Sequence, residues 1–369
     1  MGIRAAILTG LDQPLIVRDD VEVEAPRAGE IRIRVAACGV CRSDLSMQDG
    51  TLPVPMPVVL GHEASAVVEE VGEGVDDLVP GDHVIVSWVP QCGDCFFCRR
   101  GQPQLCQAAD VVLLAGGLLD GTPRLRLDGA PLFQMSGTGT FASETVIPAC
   151  AAVKIPHDMP LDVAALLGCA VVTGVGAALN TASIVPGDAV AVIGCGGVGL
   201  NIIQGARIAG AGTIVAVDVS SAKLETAEAF GATHTVDATR TDPANAVRDL
   251  TGQRGADVAF EALGQGRTIE QTVEMTRRGG QAILVGIPRL DVMLTLPAML
   301  GIVLQERTIK GCWYGSSDLR RDVPRLIDLY REGRLRLEEL VSRRIDLSEV
   351  NEALDAMKAG DGTRSVIVY

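Results

Sequence analysis

The chain has 369 residues, of which 47% are hydrophobic and only 3% aromatic, and its formal net charge is −14. This length favours two domains, each able to bury its own core, and the abundance of Gly, Ala and Val suits parallel strands buried on both faces. The acidic balance, with no basic stripe to meet phosphates, excludes nucleic acid and anionic membranes as partners.

The sequence carries no targeting pattern that we can identify. The first ten residues have too short an apolar core for a signal peptide. The longest uncharged stretch, residues 163–187, contains several glycines and a proline, so we interpret it as a buried helix and a turn, not a membrane span. Ten cysteines without an export signal indicate reduced thiols that bind metal. We therefore expect a cytoplasmic protein.

The hydrophobic pattern changes once along the chain. Apolar–polar alternation in the first 150 residues predicts strands and no long helix, with strands at residues 31–35, 64–71 and 83–86. From about residue 161, helical patterns at 163–180, 223–230 and 269–276 alternate with apolar runs at 190–193, 213–217, 258–261 and 282–285. This alternation predicts a doubly wound parallel sheet. The remaining predicted elements are helices at 322–332 and 349–358, a strand at 364–368, and an interface or internal strand at 291–296.

Residues 189–218 have the order of a dinucleotide site. An apolar run at 189–193 precedes a glycine-dense turn, a helical segment and a second apolar run that ends in Asp218. The glycines that let the backbone approach a pyrophosphate at the helix N-terminus are Gly194, Gly196, Gly197 and Gly199. An acid at the end of the second strand binds the ribose hydroxyls and repels a 2′-phosphate, which predicts NAD as the cofactor.

Four closely spaced cysteines form the sharpest signal in the sequence: Cys92, Cys95, Cys98 and Cys106. Four thiolates on one loop can close a tetrahedron around Zn²⁺ without an open position, which is typical of a structural site. The alternatives are a disulfide pair and coincidence.

A second, dispersed set comprises Cys41, His62 and Cys169. Two thiolates and one imidazole leave a fourth zinc position for water or substrate, as a catalytic site requires. Taken singly, Cys169 could be a small core residue and His62 an ordinary buried histidine.

Together these segments resemble the zinc-dependent alcohol dehydrogenases of the medium-chain dehydrogenase/reductase superfamily over essentially the whole chain. The matching motifs are CGVCRSD, GHEASAVVEEVGEGV, GDHV, the four-cysteine loop, LLGCAVVTGVGAALN, GCGGVG and GTRSVIVY, and the class I and class III enzymes are nearest. The resemblance implies an α/β protein with a GroES-like β-rich catalytic domain (residues 1–170, structural zinc lobe at about 90–107), a Rossmann cofactor domain (171–313) and a return to the catalytic domain (314–369). The chemistry is expected in a cleft between the two domains.

The resemblance also assigns roles to single residues. Cys41, His62 and Cys169 hold the catalytic zinc, and the four-cysteine set holds the structural zinc. Asp44 accepts a hydrogen bond from His62, Glu63 stands behind the metal, and Ser43 starts a proton relay. Surface charge is the alternative for Asp44 and Glu63.

Further roles concern the cofactor and the substrate. Arg42 and Arg364 clamp the pyrophosphate unless they are ordinary surface arginines, and the remaining cofactor contacts are Thr173, Val198 and Lys223. The substrate pocket is lined by Leu52, Trp88 and Met135, with Leu113, Leu114 and Trp313 as further candidates that could instead fill core.

The implied reaction is reversible hydride transfer between NAD and a primary or aromatic alcohol, held as an alkoxide on zinc. Two departures from relatives matter: Ser46 stands where many carry a terminal histidine base, and Asp110 stands where class III enzymes carry an arginine that favours glutathione adducts. A dehydrogenase of a thiol–formaldehyde adduct therefore remains the alternative, and a non-catalytic nucleotide-binding homologue is a third. A homodimer is implied by resemblance, with a tetramer as the alternative.

Overall fold

The change of hydrophobic pattern along the chain corresponds to two separate units in the computed structural model, which describes residues 2–369. The first unit contains the described residues up to Ala170, with Asp318–Tyr330 and Leu337–Tyr369. The second contains Val171–Ser317 and Arg331–Arg336. The division into a catalytic and a cofactor domain, with boundaries after residues 170 and 313, stays a prediction.

The strands, in chain order, are β1 (Ile3–Leu8), β2 (Ile16–Val23), β3 (Glu30–Gly39), β4 (Val58–Val59), β5 (Glu63–Val71), β6 (His83–Val86), β7 (Leu125–Leu127), β8 (Ala130–Gln134), β9 (Glu144–Pro148), β10 (Ala152–Lys154), β11 (Ala189–Ile193), β12 (Thr213–Asp218), β13 (His234–Asp237), β14 (Ala256–Glu261), β15 (Thr276–Leu284), β16 (Thr308–Gly311), β17 (Arg343–Ile345) and β18 (Ser365–Val368). The α-helices are α1 (Arg42–Gln48), α2 (Phe96–Arg99), α3 (Ala108–Ala115), α4 (Leu161–Ala164), α5 (Ala170–Gly176), α6 (Gly197–Ala209), α7 (Ser221–Ala229), α8 (Pro243–Leu250), α9 (Gly266–Met275), α10 (Leu319–Arg331) and α11 (Val350–Ala359). Short 3₁₀ and π turns connect several of them.

The first unit is built from a closed barrel and an antiparallel-rich sheet. The barrel strands follow the order β1-β2-β7-β8-β4, and the sheet follows β10-β6-β5-β3-β18-β17, with β9 also paired to β3. Alternate residues of β3, including Ile31, Ile33 and Val35, are fully buried in the core of this unit. The three strands predicted by alternation lie within β3, β5 and β6, so that part of the sequence prediction is confirmed.

The second unit contains the predicted doubly wound sheet. Its six strands follow the order β13-β12-β11-β14-β15-β16, and every neighbouring pair is parallel. The order reverses between β11 and β14, which is where dinucleotides bind in folds of this type. All five residues of β11 are buried, because helices cover both faces of such a sheet.

One predicted helix is interrupted. The apolar pattern predicts a continuous helix over residues 163–180, but the chain forms α4, a 3₁₀ turn at Ala165–Gly168, and then α5 and a π turn at Ala177–Thr181. Cys169 lies at the break, with non-helical angles of φ −145° and ψ −79°. A side chain at Gly168 would press on the carbonyl oxygen of Val86, so this segment packs closely on β6. The prediction was wrong at Cys169.

Smaller differences concern other elements. The helices α1, α2 and α3 were not predicted, because they are short and interrupt strand-like sequence. The helix expected over 269–276 ends at Met275, and β15 begins at once. Residues 291–296 form no strand within the described chain and are mostly exposed, so the alternating pattern there was misleading.

No single helix within residues 2–369 has the length and hydropathy of a membrane span. The broken pair Leu161–Gly168 and Ala170–Thr181 reaches those values only when its two parts are joined.

Candidate metal and cofactor sites

Three buried side chains from separate segments of the first unit converge. Cys41 follows β3 and precedes α1, His62 precedes β5, and Cys169 lies at the helix break. Their ligand atoms all lie within 4.8 Å of one another, and the two Sγ atoms are 3.9 Å apart. Zn–S bonds of about 2.3 Å in a tetrahedron place two sulfur atoms about 3.8 Å apart. The donor set and its spacing therefore fit a zinc ion with a fourth position left open.

Asp44 ties two of these ligands together. Its Oδ2 accepts the backbone N–H of Cys41 at 2.8 Å, and its Oδ1 accepts that of Gly61 at 3.1 Å. Oδ1 also lies 3.2 Å from Nδ1 of His62, which leaves Nε2 of that ring for a metal. Asp44 is fully buried, which excludes the alternative of a surface charge.

Glu63 and Arg364 form a buried ion pair behind the cluster. Nε of Arg364 is 3.3 Å from Oε1 of Glu63, and Oε2 of Glu63 accepts the N–H of Ala170, the residue after Cys169, at 3.0 Å. Glu63 is fully buried, and this burial raises its pKa to about 7. A Cβ at Gly39 would collide with its carboxylate, so only glycine fits there. The Arg364 guanidinium also donates to the carbonyl of Val40 at 2.8 Å.

The charges around the two thiols differ in their effect. The hydrogen bond from Cys169, with the positive charges of Arg364 and His62, holds the pKa of Cys41 well below its usual range despite burial. The same hydrogen bond and burial raise the pKa of Cys169. Burial alone would lower the pKa of His62, but Asp44 and Cys41 raise it above the ordinary value. The pocket therefore stabilises a thiolate at Cys41.

The four-cysteine loop brings its sulfur atoms to one point. The Sγ atoms of Cys92 and Cys98 are 4.0 Å apart, and those of Cys95 and Cys106 are 3.9 Å apart. These distances fit a tetrahedron of thiolates around zinc and exclude a disulfide, whose sulfur atoms would be about 2.05 Å apart. Hydrogen bonds from backbone N–H groups, of which that of Cys98 has the largest effect, lower the pKa of Cys95 to about 6.

The glycine turn of the second unit is shaped for a dinucleotide. Gly194 has φ +93°, and a Cβ at Gly199 would collide with its carbonyl oxygen, so α6 packs directly on the end of β11. A Cβ at Gly196 would meet no atom within 4 Å, which leaves open space beside the N-terminus of α6. Such a terminus attracts phosphate. The turn therefore fits the pyrophosphate of NAD.

Asp218 is held firmly at the end of β12. Its Oδ2 accepts the N–H of Cys195 at 2.8 Å, and its Oδ1 accepts those of Val219 and Ser220 at 2.8 and 3.0 Å. The carboxylate is thereby fixed beside the glycine turn. Three other predicted cofactor residues of this unit are half-buried: Thr173, Val198 and Lys223.

The predicted pocket residues fall into two groups. Trp88 packs edge-on against the ring of His62, with 6.4 Å between ring centroids, and Met135 is buried. Leu114, by contrast, is 79% exposed and fills no core. The remaining candidates are half-buried: Leu52, Leu113 and Trp313.

The other two predicted positions also differ in exposure. Ser43 is half-buried in the first turn of α1, with its Oγ 4.0 Å from Sγ of Cys41. Arg42 is exposed, whereas Arg364 is buried, so the structure does not present the predicted arginine pair as a single surface. The roles of all these residues stay predictions.

Sequence reasoning missed four residues whose hydrogen bonds reach the chain before His62 directly or through Thr140: Cys38, Thr138, Thr140 and Tyr369. Their contacts join segments that are far apart in sequence, and the only local signal was the glycine at position 61.

Comparison with known proteins identifies the chain's relatives. Residues 27–157 match the family model described as alcohol dehydrogenase GroES-like domain, and residues 197–332 match that described as zinc-binding dehydrogenase. The S-(hydroxymethyl)glutathione dehydrogenase of Paracoccus denitrificans is 36% identical over 381 residues, covering 100% of both chains. The alcohol dehydrogenase class-3 of Drosophila melanogaster is 39% identical over 373 residues, covering 99% of this chain and 97% of the relative.

Solved structures agree with these matches over the full length. Benzyl alcohol dehydrogenase from Acinetobacter calcoaceticus has a TM-score of 0.94 and 29% identity, covering 100% of this chain and 99% of the other. Matches to both family models and to full-length relatives leave one conclusion. The chain belongs to the zinc-dependent alcohol dehydrogenases of the medium-chain dehydrogenase/reductase superfamily and is an NAD-dependent oxidoreductase.

Proposed function

We propose that this enzyme interconverts a primary or aromatic alcohol and its aldehyde at the cluster of Cys41, His62 and Cys169. The single observation that carries the proposal is the spacing of this buried cluster, whose two sulfur atoms are 3.9 Å apart. Three ligands leave one zinc position for the substrate oxygen. Trp88 packs edge-on against the ring of His62 and supplies an apolar surface beside the cluster, which favours an apolar alcohol.

The chain's own residues position the reactants and move the proton. A zinc ion bound here supplies Lewis-acid polarisation of the substrate oxygen. Asp44 fixes the ring of His62, and Glu63 holds the backbone after Cys169. The hydroxyl of Ser43, close to Cys41, would accept the proton released by the alcohol while it passes its own proton onward. Ser46 lies one turn further along α1 and is not a base, so the proton would pass to solvent water.

The proposal includes two zinc ions per chain, one in each cluster, and Cys41→Ser and Cys95→Ser test them separately. Each variant should hold one zinc ion fewer than the wild type, because each loses a thiolate ligand. Cys41→Ser should lose alcohol turnover and still bind NAD, since the glycine turn is unchanged. The measurements are metal content by mass spectrometry, NADH absorbance for turnover, and fluorescence titration for NAD binding.

Cys150→Ser serves as the matched control, because Cys150 is a free thiol that belongs to neither cluster. It should keep both zinc ions and normal turnover. A wild-type protein with fewer than two zinc ions per chain, or an active Cys41→Ser variant, would show that a cluster is misassigned.

The preference for NAD over NADP is proposed to come from Asp218. Its carboxylate, held by three backbone N–H groups, would lie against a 2′-phosphate and repel it. Asp218→Ala should raise the ratio of kcat/KM for NADP to that for NAD by at least about tenfold, because one unfavourable charge pair is removed. Steady-state kinetics with both cofactors measure this ratio.

Asp237→Ala is the control for that experiment. Asp237 lies opposite Asp218 at the end of the neighbouring strand β13. The substitution therefore removes an equal charge one strand away from Asp218. An unchanged cofactor ratio in Asp218→Ala, or an equal change in both variants, would refute the role given to Asp218.

A second candidate substrate is a thiol–formaldehyde adduct. Two relatives favour it, since they are named S-(hydroxymethyl)glutathione dehydrogenase and alcohol dehydrogenase class-3. Asp110, exposed in the first turn of α3, disfavours glutathione, because it stands where the class III enzymes carry an arginine and would repel carboxylates.

A screen of alcohols and aldehydes with and without added thiols separates the two candidates. We expect turnover of primary and aromatic alcohols without any thiol, because Trp88 presents an apolar surface beside His62. Formaldehyde oxidation that requires a thiol, combined with no turnover of simple alcohols, would instead establish the adduct as the substrate.

The proposal also includes a homodimer in the cytoplasm. Apolar side chains stand exposed in the segment that connects β15 to β16, including Met293 (86% exposed), Leu290 (82%) and Leu300 (68%). β16 is an edge strand, and exposed apolar side chains in the segment leading to it favour pairing with a second copy. None of the ten cysteines, all within residues 2–369, forms a disulfide, which supports a reducing compartment.

Met293→Glu tests the dimer, because it places a charge among the exposed apolar side chains between β15 and β16. Light scattering should give the mass of a dimer for the wild type and a lower average mass for the variant. Val79→Glu, at a 56% exposed site of the first unit, is the control and should remain dimeric. A monomeric wild type, or a Met293→Glu variant of unchanged mass, would contradict this part of the proposal.

A further inference from the structure

The residues immediately before His62 are held by a distant segment of the same unit, residues 138–141. The N–H of Phe141 donates to the carbonyl of Leu60 at 2.9 Å, and the N–H of Thr140 donates to that of Gly61 at 3.0 Å. Gly61 has φ +89°, and a Cβ there would lie 2.5 Å from the nitrogen of Phe141. The backbone that leads into the histidine therefore lies flat against residues 138–141.

The hydroxyl of Thr138 adds a second donor at the same place. Its Oγ1 lies 3.0 Å from the carbonyl oxygen of Gly61 and 2.7 Å from that of Met135, between the two. The hydroxyl is fully buried with the rest of the side chain. The two peptide groups on either side of Gly61 are thus both held: Asp44 accepts the N–H of Gly61, and residues 138–141 donate to its carbonyl.

Residues 138–141 are in turn anchored by the C-terminal residue. The phenol of Tyr369 donates to the carbonyl of Thr140 at 3.0 Å, and the N–H of Tyr369 donates to the carbonyl of Ala36 in β3 at 3.2 Å. The hydroxyl of Thr140 lies 3.2 Å from Sγ of Cys38, also in β3. Tyr369 therefore ties residues 138–141 to the strand that leads into Cys41.

We propose that Tyr369 and Thr138 are positioning residues that orient His62 for metal binding, through their hydrogen bonds to Thr140 and Gly61. Neither side chain touches the ring. Thr138 acts directly on the peptide group between Gly61 and His62. Tyr369 acts through the peptide group between Thr140 and Phe141, whose N–H donates to the carbonyl of Leu60. Glycine at position 61 gives that backbone no side chain to restrain it. This inference rests on the proposed role of His62 as a zinc ligand.

The size of the effect follows from the number of bonds between each residue and the ring. Loss of a group bonded directly to a ligand costs about 10–100-fold in metal affinity. Tyr369 acts one peptide further away, so Tyr369→Phe should weaken zinc binding about three- to tenfold, at or below the lower end of that range. Thr138→Val should act similarly, and Thr138→Ser, which keeps the hydroxyl, should restore wild-type affinity.

The experiment follows the imidazole signals of the full-length holoenzyme by NMR. The chain has only four histidines, so ring-labelled protein gives a simple spectrum in which His62 is assigned by substitution. Titration with a chelator then yields the zinc affinity at that ring directly. We expect Tyr369→Phe and Thr138→Val to shift the His62 signal and to release zinc at lower chelator concentrations.

Tyr330→Phe is the matched control. It also removes a phenol that hydrogen-bonds within the first unit, to Glu338 at 2.7 Å, but it lies outside this network. A Tyr369→Phe variant with the His62 signal and zinc affinity of the wild type would overturn the inference. So would lowered affinity without a shifted His62 signal, or a Thr138→Ser variant as weak as Thr138→Val.

Failure of the proposed function would look different. If the chelator leaves the His62 signal of the wild type unchanged, then His62 is not a ligand at all. The inference would then fall together with the site on which it rests.

Discussion

The hydrogen bonds accepted by Asp44 are the contact on which the rest of the site depends. A fully buried carboxylate is unfavourable unless its oxygens are satisfied, and Asp44 obtains its partners from Cys41, Gly61 and His62. Two of the proposed ligands, which lie 21 positions apart in sequence, thus share one hydrogen-bonding partner. The turn after β3 and the turn before β5 cannot move independently without breaking these hydrogen bonds.

Cys169, the third proposed ligand, is held in place by the buried ion pair of Glu63 and Arg364. Glu63 accepts the N–H that follows Cys169, and Arg364 balances its charge. Cys169 itself interrupts a helix, and the break lets its side chain leave the helical face. The hydrogen bond from Cys169, with the positive charges of Arg364 and His62, holds the pKa of Cys41 low, and Arg364 also pairs with Glu63, so the positive groups of the pocket balance its negative ones.

The sequence predicted the regular elements well where a physical period was present. The alternation of apolar and polar residues predicted β3, β5 and β6. The alternation of strand-like and helix-like segments predicted the parallel sheet that contains β11. The hydrophobic pattern of residues 163–180 predicted one continuous helix and missed the break at Cys169. The break comes from packing on β6, and the apolar residues on both sides of it still follow a helical pattern. The alternation at residues 291–296 predicted a strand, but this segment is mostly exposed and forms none.

The metal-binding side chains of the candidate site could be predicted from the sequence, but the residues that hold their backbone in place could not. Residue type and spacing indicated the four cysteines, and the family motifs indicated Cys41, His62 and Cys169. No role was predicted for Thr138, Thr140 or Tyr369, although Tyr369 ends the matching motif GTRSVIVY, because these residues act on backbone carbonyls far away in sequence. Hydrogen bonds to peptide groups depend on the folded path of the chain, and hydroxyl side chains are common everywhere.

X-ray diffraction of crystals of the purified protein at the zinc absorption edge can locate a zinc ion in the cluster joined by Asp44. We expect an anomalous peak about 2.3 Å from the Sγ atoms of Cys41 and Cys169 and about 2.0–2.1 Å from Nε2 of His62. A map with zinc at the four-cysteine loop and no peak at Cys41, His62 and Cys169 would show that the buried cluster is not a zinc site.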